Sequence, residues 1–160
     1  MRGWNRFVAT GLLCMCAIAA GAATAQETGP SAMDCFLPAF ESGDADAVAA
    51  CYAEDGVIWF PGGPMARGRA AIRDGFADFF AKSTIKDLSP TPLGSESMGD
   101  TMASWGTYTL STVDKATGVE TTVTGRYTDV SKKIDGRWLY VVDHPSDDPP
   151  VEAQAPGPDS

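Results

Sequence analysis

The chain has 160 residues, with 12 lysines and arginines against 21 aspartates and glutamates and a formal charge of −9. Counterion release on an anionic polymer needs clustered basic residues, and those here are scattered or interleaved with acids, which argues against nucleic acid as a partner. The acidity reads as solubility, and the length suits one domain whose core needs neither metal nor many disulfides.

Residues 1–25 run from basic Arg2 and Arg6 through an apolar stretch, Phe7 to Ala22, to Ala23-Thr24-Ala25, a small-x-small cleavage pattern. They are expected to be a secretory signal peptide, cut before Gln26, since the stretch is short for a membrane span and no second one follows. Cleavage would remove two arginines and no acid, moving the formal charge from −9 to −11. The mature chain is then expected to be exported, periplasmic or secreted, and free of the membrane. Residues 26–30 read as a linker.

Ser31 and Asp34 have capping-box spacing, and Met33, Phe36, Leu37 and Phe40 recur at helical intervals, so a first helix is expected here. Pro38 lies within it and predicts a kink or a late start. Gly43 breaks the helix, Asp44 can cap a second one, and Ala47, Val48, Cys51 and Tyr52 form its apolar face. Cys35 and Cys51 each lie eight residues from Gly43, so a helical hairpin would bring them level, and in an oxidising compartment they are expected to form a disulfide.

Gly56 to Phe60 reads as a strand stopped by Pro61-Gly62-Gly63-Pro64, with Met65 to Arg67 as a short return strand. Ile72, Phe76, Phe79 and Phe80 define the clearest helix of the chain. Four strands follow, about Ile85 to Glu96, Thr101 to Val113, Val119 to Lys132 and Arg137 to His144, joined as antiparallel hairpins through Gly99-Asp100, Lys115 to Gly118 and Asp135-Gly136. The domain is thus placed at residues 31–144 and is of the α+β class, with helices gathered on one face of a curved sheet. Residues 145–160, with five prolines and no aromatic residue, are expected to be a disordered tail.

Gly43-Asp44, Cys51-Tyr52-Ala53-Glu54-Asp55, Pro61-Gly62-Gly63, Arg67-Gly68-Arg69-Ala70-Ala71-Ile72 and Asp135-Gly136-Arg137-Trp138 occur in an order and spacing that resemble the SnoaL-like and ketosteroid-isomerase-like families. The resemblance implies a cone-shaped antiparallel sheet with about three helices on its concave side, wrapped around a pocket and commonly dimeric through the outer sheet face. Trp138 to Val142, apolar on both strand faces, should then be covered on both. Phe36, Ile58, Phe60, Tyr108, Tyr127 and His144 are expected to line the pocket.

Steroid-isomerase chemistry is not expected. The family's catalytic base corresponds here to Phe60 and its phenolic donor to Phe36, neither of which can move a proton, while its third acid corresponds to Asp129. A carboxyl buried in an apolar cone has a raised pKa, so Asp129 and Asp143 are the candidate acids or bases. The plainer alternatives are an ion pair of Asp129 with Arg126 or with a lysine at a strand end, and hydrogen bonds of Asp143 that close the sheet. His144 follows Asp143 on the same strand and so faces the opposite way. As the single histidine with no paired ligands, it argues against a metal site, and no motif calls for a cofactor.

Three functions fit these residues, and the first is preferred because Phe36 and Phe60 leave no complete catalytic set. The first is an exported module that binds a small apolar molecule without turnover, or simply dimerises. The second is an acid–base enzyme of isomerase, lyase or hydrolase type on a small hydrophobic substrate, and the third an accessory protein that meets a basic partner.

Overall fold

The computed structural model describes residues 31–149. The expected signal peptide, the linker and residues 150–160 of the expected tail lie outside the described residues. Three helices and six strands follow one another as α1 (Ala32–Ser42), α2 (Ala45–Ala49), β1 (Tyr52–Trp59), β2 (Met65–Arg67), α3 (Arg69–Lys82), β3 (Ser83–Met98), β4 (Thr101–Asp114), β5 (Glu120–Ile134) and β6 (Arg137–Asp147). The strands form one curved open sheet in the order β2-β1-β6-β5-β4-β3. Among the described residues only the β1–β6 pair is parallel.

The caps read from the sequence do close α1. Ser31 N–H donates to Asp34 Oδ2 at 2.7 Å and Asp34 N–H donates back to Ser31 Oγ, while Gly43, at φ 70°, ends the helix in the left-handed region. Pro38 neither delays nor interrupts the helix. One missing donor is tolerated because both ends are capped and Phe36, Ala39 and Phe40 are buried. Asp44 caps α2 by accepting from Ala47 N–H at 2.9 Å. Cys35 and Cys51 are joined by a disulfide, their Cα atoms 5.7 Å apart.

Two expected boundaries move. Helix α2 ends at Ala49, and β1 begins at Tyr52, four residues before Gly56. The parallel pairing explains this: Tyr140 N–H donates to Cys51 O at 2.9 Å and Tyr52 lies opposite Tyr140, so Cys51 and Tyr52 leave the helix for the sheet. Gly56 must be a glycine in this arrangement, since a Cβ there would sit 2.9 Å from Tyr140 O. At the other end β6 passes His144 and runs to Asp147, so Pro145 to Asp147 belong to the sheet and not to the tail. Pro145 lies opposite Tyr127. Strand β3 carries Pro90 and Pro92, which a central strand would not tolerate, and it is an edge strand.

The core lies between the helices and the sheet. Phe36 and Phe40 of α1, Ile72, Phe76 and Phe80 of α3, and Ile58, Tyr52 and Tyr140 of the sheet form one buried cluster. Its rings meet mostly edge to face, as at Phe36–Phe76 (5.9 Å) and Phe60–Phe76 (5.2 Å). Cover over β6 is less complete than expected: Leu139 and Tyr140 are buried, but Trp138, Val141 and Val142 keep partial exposure.

Candidate functional site

Between the helices and the sheet a cavity of about 340 Å³ remains open, within the size range of small-molecule sites. The helical side supplies Met33, Phe36, Phe40, Phe76 and Phe79, and the β1 side Ile58, Phe60 and Pro61. Strands β3 to β6 supply a floor of Leu88, Pro90, Tyr108, Leu110, Tyr127 and Tyr140, broken by Asp129, Asp143 and Asp147. Five of the six expected lining residues are therefore in place. The sixth, His144, is not: it is exposed on the other face of the sheet, its ring 5.5 Å from that of Trp59. Alternation along the strand turns it away once Asp143 faces inward.

Asp129 and Asp143 are direct cross-strand neighbours on β5 and β6, and both open onto the cavity. This juxtaposition depends on a bulge. From the Asp135-Gly136 turn up to Ser131, opposite Tyr140, the hairpin register is regular, and then Val130 pairs with Val142, leaving Val141 as an extra residue. Were Val141 paired with Val130 in an unbroken register, Asp143 would lie opposite Thr128, which is exposed on the outer face. The bulge thus re-aims Asp143 into the cavity beside Asp129.

Both carboxyls are buried, with 3 % and 8 % of their surfaces exposed. Asp143 Oδ2 accepts from the Tyr52 hydroxyl at 2.6 Å, and Asp129 Oδ1 accepts from the Ser104 hydroxyl at 2.7 Å. Arg126 is paired with Asp148, so the simple ion pair considered for Asp129 is not formed. Burial pushes Asp129 up to about 6, partly opposed by the Ser104 hydrogen bond. Burial likewise pushes Asp143 up to about 7, opposed by the Tyr52 hydrogen bond and reinforced by the charge of Asp129. Both carboxyls therefore hold a proton to higher pH than an exposed aspartate does. Burial, with Asp143 as its nearest charge, holds the phenols of Tyr52 and Tyr140 protonated well above the usual tyrosine range.

Tyr52, Ser104 and Tyr140 were not among the expected site residues. Tyr52 read as part of a helical face, and Ser104 is one serine among many, with no sequence signal that it bonds a carboxyl. At the mouth, the Tyr108 hydroxyl donates to Asp147 Oδ1 at 2.6 Å. Phe36 and Phe60 serve as apolar wall, and the polar groups come from β1, β4, β5 and β6 instead.

The fold is that of a known class: the chain belongs to the SnoaL-like domain family, which it matches over residues 34–141. Among solved structures it is similar to a ketosteroid isomerase-like protein from Erwinia carotovora atroseptica, at 26 % identity and a TM-score of 0.68, over 74 % of this chain and 92 % of that one. It is also similar to a Xanthomonas campestris protein described as a calcium/calmodulin dependent protein kinase II association domain, at 31 % identity and a TM-score of 0.60, over 74 % and 84 % of the two chains. A Streptomyces avermitilis protein described as a dehydratase of the NTF2-like family shares the fold at 18 % identity and a TM-score of 0.60, over 73 % and 91 %. No curated protein matches the chain.

Proposed function

We propose that the protein is an acid–base catalyst that moves a proton on a small, largely apolar molecule held in the cavity. The observation that carries this reading, and favours it over binding without turnover, is the buried Asp129–Asp143 pair on the cavity floor. A proton-transfer catalyst works best with a pKa near the ambient pH, and burial moves both carboxyls of this pair toward it. In the simplest cycle the ionised carboxyl takes a proton from a carbon next to a carbonyl, breaking the C–H bond. Its protonated partner gives its proton to the carbonyl oxygen, leaving an enol; return of a proton to the same carbon completes exchange, and with a conjugated dienol, return of a proton to the far carbon of the diene with loss of the hydroxyl proton completes isomerisation.

The test is deuterium exchange of the α-protons of 2-tetralone in heavy water, followed by proton NMR with the purified chain. Exchange should be accelerated, and Asp143→Asn and Asp129→Asn should each slow it by about 10²- to 10⁴-fold. A chain that exchanges no faster than Asp143→Asn at any pH from 6 to 9 would end the reading.

Two further parts of this proposal concern where the protein works and with what. Export to an oxidising compartment is supported by the N-terminal pattern and by the Cys35–Cys51 disulfide. A homodimer through the outer sheet face is supported by a row across the strands, Trp59, His144, Thr128 and Trp105, in which Trp59 and Trp105 are 40 % and 41 % exposed.

A further inference from the structure

We infer that the ligand of this cavity carries a positive charge: the site takes a protonated amine on an apolar, ring-containing body. The inference rests on the cavity being the working site and adds the charge of what enters it. Among the described residues, every ionisable one lining it other than tyrosine is an acid, Asp129, Asp143 and Asp147, and no lysine, arginine or histidine lines it.

The hydrogen-bond partners of these three carboxyls are all neutral hydroxyls, those of Ser104, Tyr52 and Tyr108. None of the three has a cation within ion-pair distance among the described residues. Among the described residues each carboxyl has one hydrogen-bond partner, through Asp143 Oδ2 and Asp129 Oδ1. A buried carboxylate without a counter-charge is costly and either keeps a proton or finds a cation. The walls facing the pair are aromatic, notably Phe36, Phe60, Phe76 and Tyr127, and ring faces attract an ammonium group while their area receives the apolar body. A neutral ligand would use the walls and leave the acids unanswered, and an anionic ligand would be repelled by them. The net charge of the chain, −9, also favours the approach of a cation.

Amine binding should therefore be linked to loss of the protons held by the pair. The groups facing the two carboxyls are Tyr52 from β1, Ser104 and Tyr108 from β4, Tyr127 from β5, and Tyr140 and Asp147 from β6, while α1 and α3 present apolar side chains. Asp34, at the start of α1, acts on Tyr140 by its charge only. None of these is a cation that could take the role of the ammonium.

The experiment compares three fused-ring probes of one shape by titration calorimetry: 1-naphthylmethylamine, 1-naphthylmethanol and 1-naphthoate. At pH 8 the amine should bind at least about tenfold tighter than the alcohol, as expected for a charge-assisted hydrogen bond in a buried site. The naphthoate should bind weakest. Asp129→Asn and Asp143→Asn should each reduce the preference for the amine. At pH 6, in two buffers of different ionisation enthalpy, amine binding by the unaltered chain should release protons and alcohol binding should not, a readout that does not depend on whether the variants fold. The inference is overturned if the alcohol or the naphthoate binds as tightly as the amine, if no probe binds, or if amine binding releases no proton. Amine preference without tetralone exchange would sink the proton-transfer reading alone, and exchange with preference for the alcohol would sink this inference alone.

Discussion

The two sides of the cavity solve opposite problems. The helical side, with Phe36 and Phe40 from α1 and Phe76 and Phe79 from α3, presents rings to rings and is held by apolar burial. The sheet floor buries Asp129 and Asp143, which gain nothing from burial and rely on hydroxyl partners and a held proton. The first side stabilises the fold; the second gives up stability to keep two reactive groups in an apolar setting, the usual trade at a working site. Because folding raises the carboxyl pKa values, the folded chain holds more protons than the unfolded chain between about pH 4 and 7. Their contribution to stability is therefore full below the unfolded pKa and lost as pH rises through 6 and 7.

That contrast can be broken on each side. Phe76→Ala, which removes a buried ring touching Phe36, Phe40 and Phe60, should destabilise the chain by about 3–5 kcal/mol, read by urea unfolding at pH 5 and at pH 8 with a similar loss at both. On the floor, Tyr52→Phe removes the donor to Asp143. It should cost about 1–3 kcal/mol at pH 9, where the carboxylate needs that bond, and much less at pH 5, and the Asp143 pKa should rise further. Ser104→Ala should raise the Asp129 pKa in the same way with a smaller change in stability, its hydroxyl being only part-buried. His144→Ala, one residue from the pair but on the opposite face, should leave both the carboxyl pKa values and tetralone exchange unchanged. A Tyr52→Phe loss that is the same at pH 5 and pH 9 would mean that its role is packing alone.

The helical side was far more legible in the sequence than the floor. The Ser31 capping box, Gly43, the Asp44 cap and the i, i+4, i+8 spacing of Ile72, Phe76 and Phe80 are local signals, and the positions of Cys35 and Cys51 about Gly43 follow from helix geometry. Asp129 and Asp143 could be nominated as buried acids, but their adjacency rests on one extra residue, Val141, which a hairpin count from the Asp135-Gly136 turn does not reveal. Tyr52 was hidden because Cys51-Tyr52 continues the helical pattern of α2, and only the long-range parallel pairing with Tyr140 draws it into β1. His144 was expected both at the pocket rim and, by alternation with Asp143, on the opposite face, and the alternation prevailed. Short-range chemistry was readable, and the register across distant strands was not.

The most direct check of the proton-carrying pair is a ¹³C NMR pH titration of the carboxyl carbons in Asp-labelled chain, assigned with Asp129→Asn and Asp143→Asn. Two carbons titrating near pH 6 and 7, each shifting when the other residue is replaced, are the expected result. Two carbons that both titrate below pH 5, with no effect of one replacement on the other, would contradict a proton-carrying pair and with it the catalytic reading of the cavity.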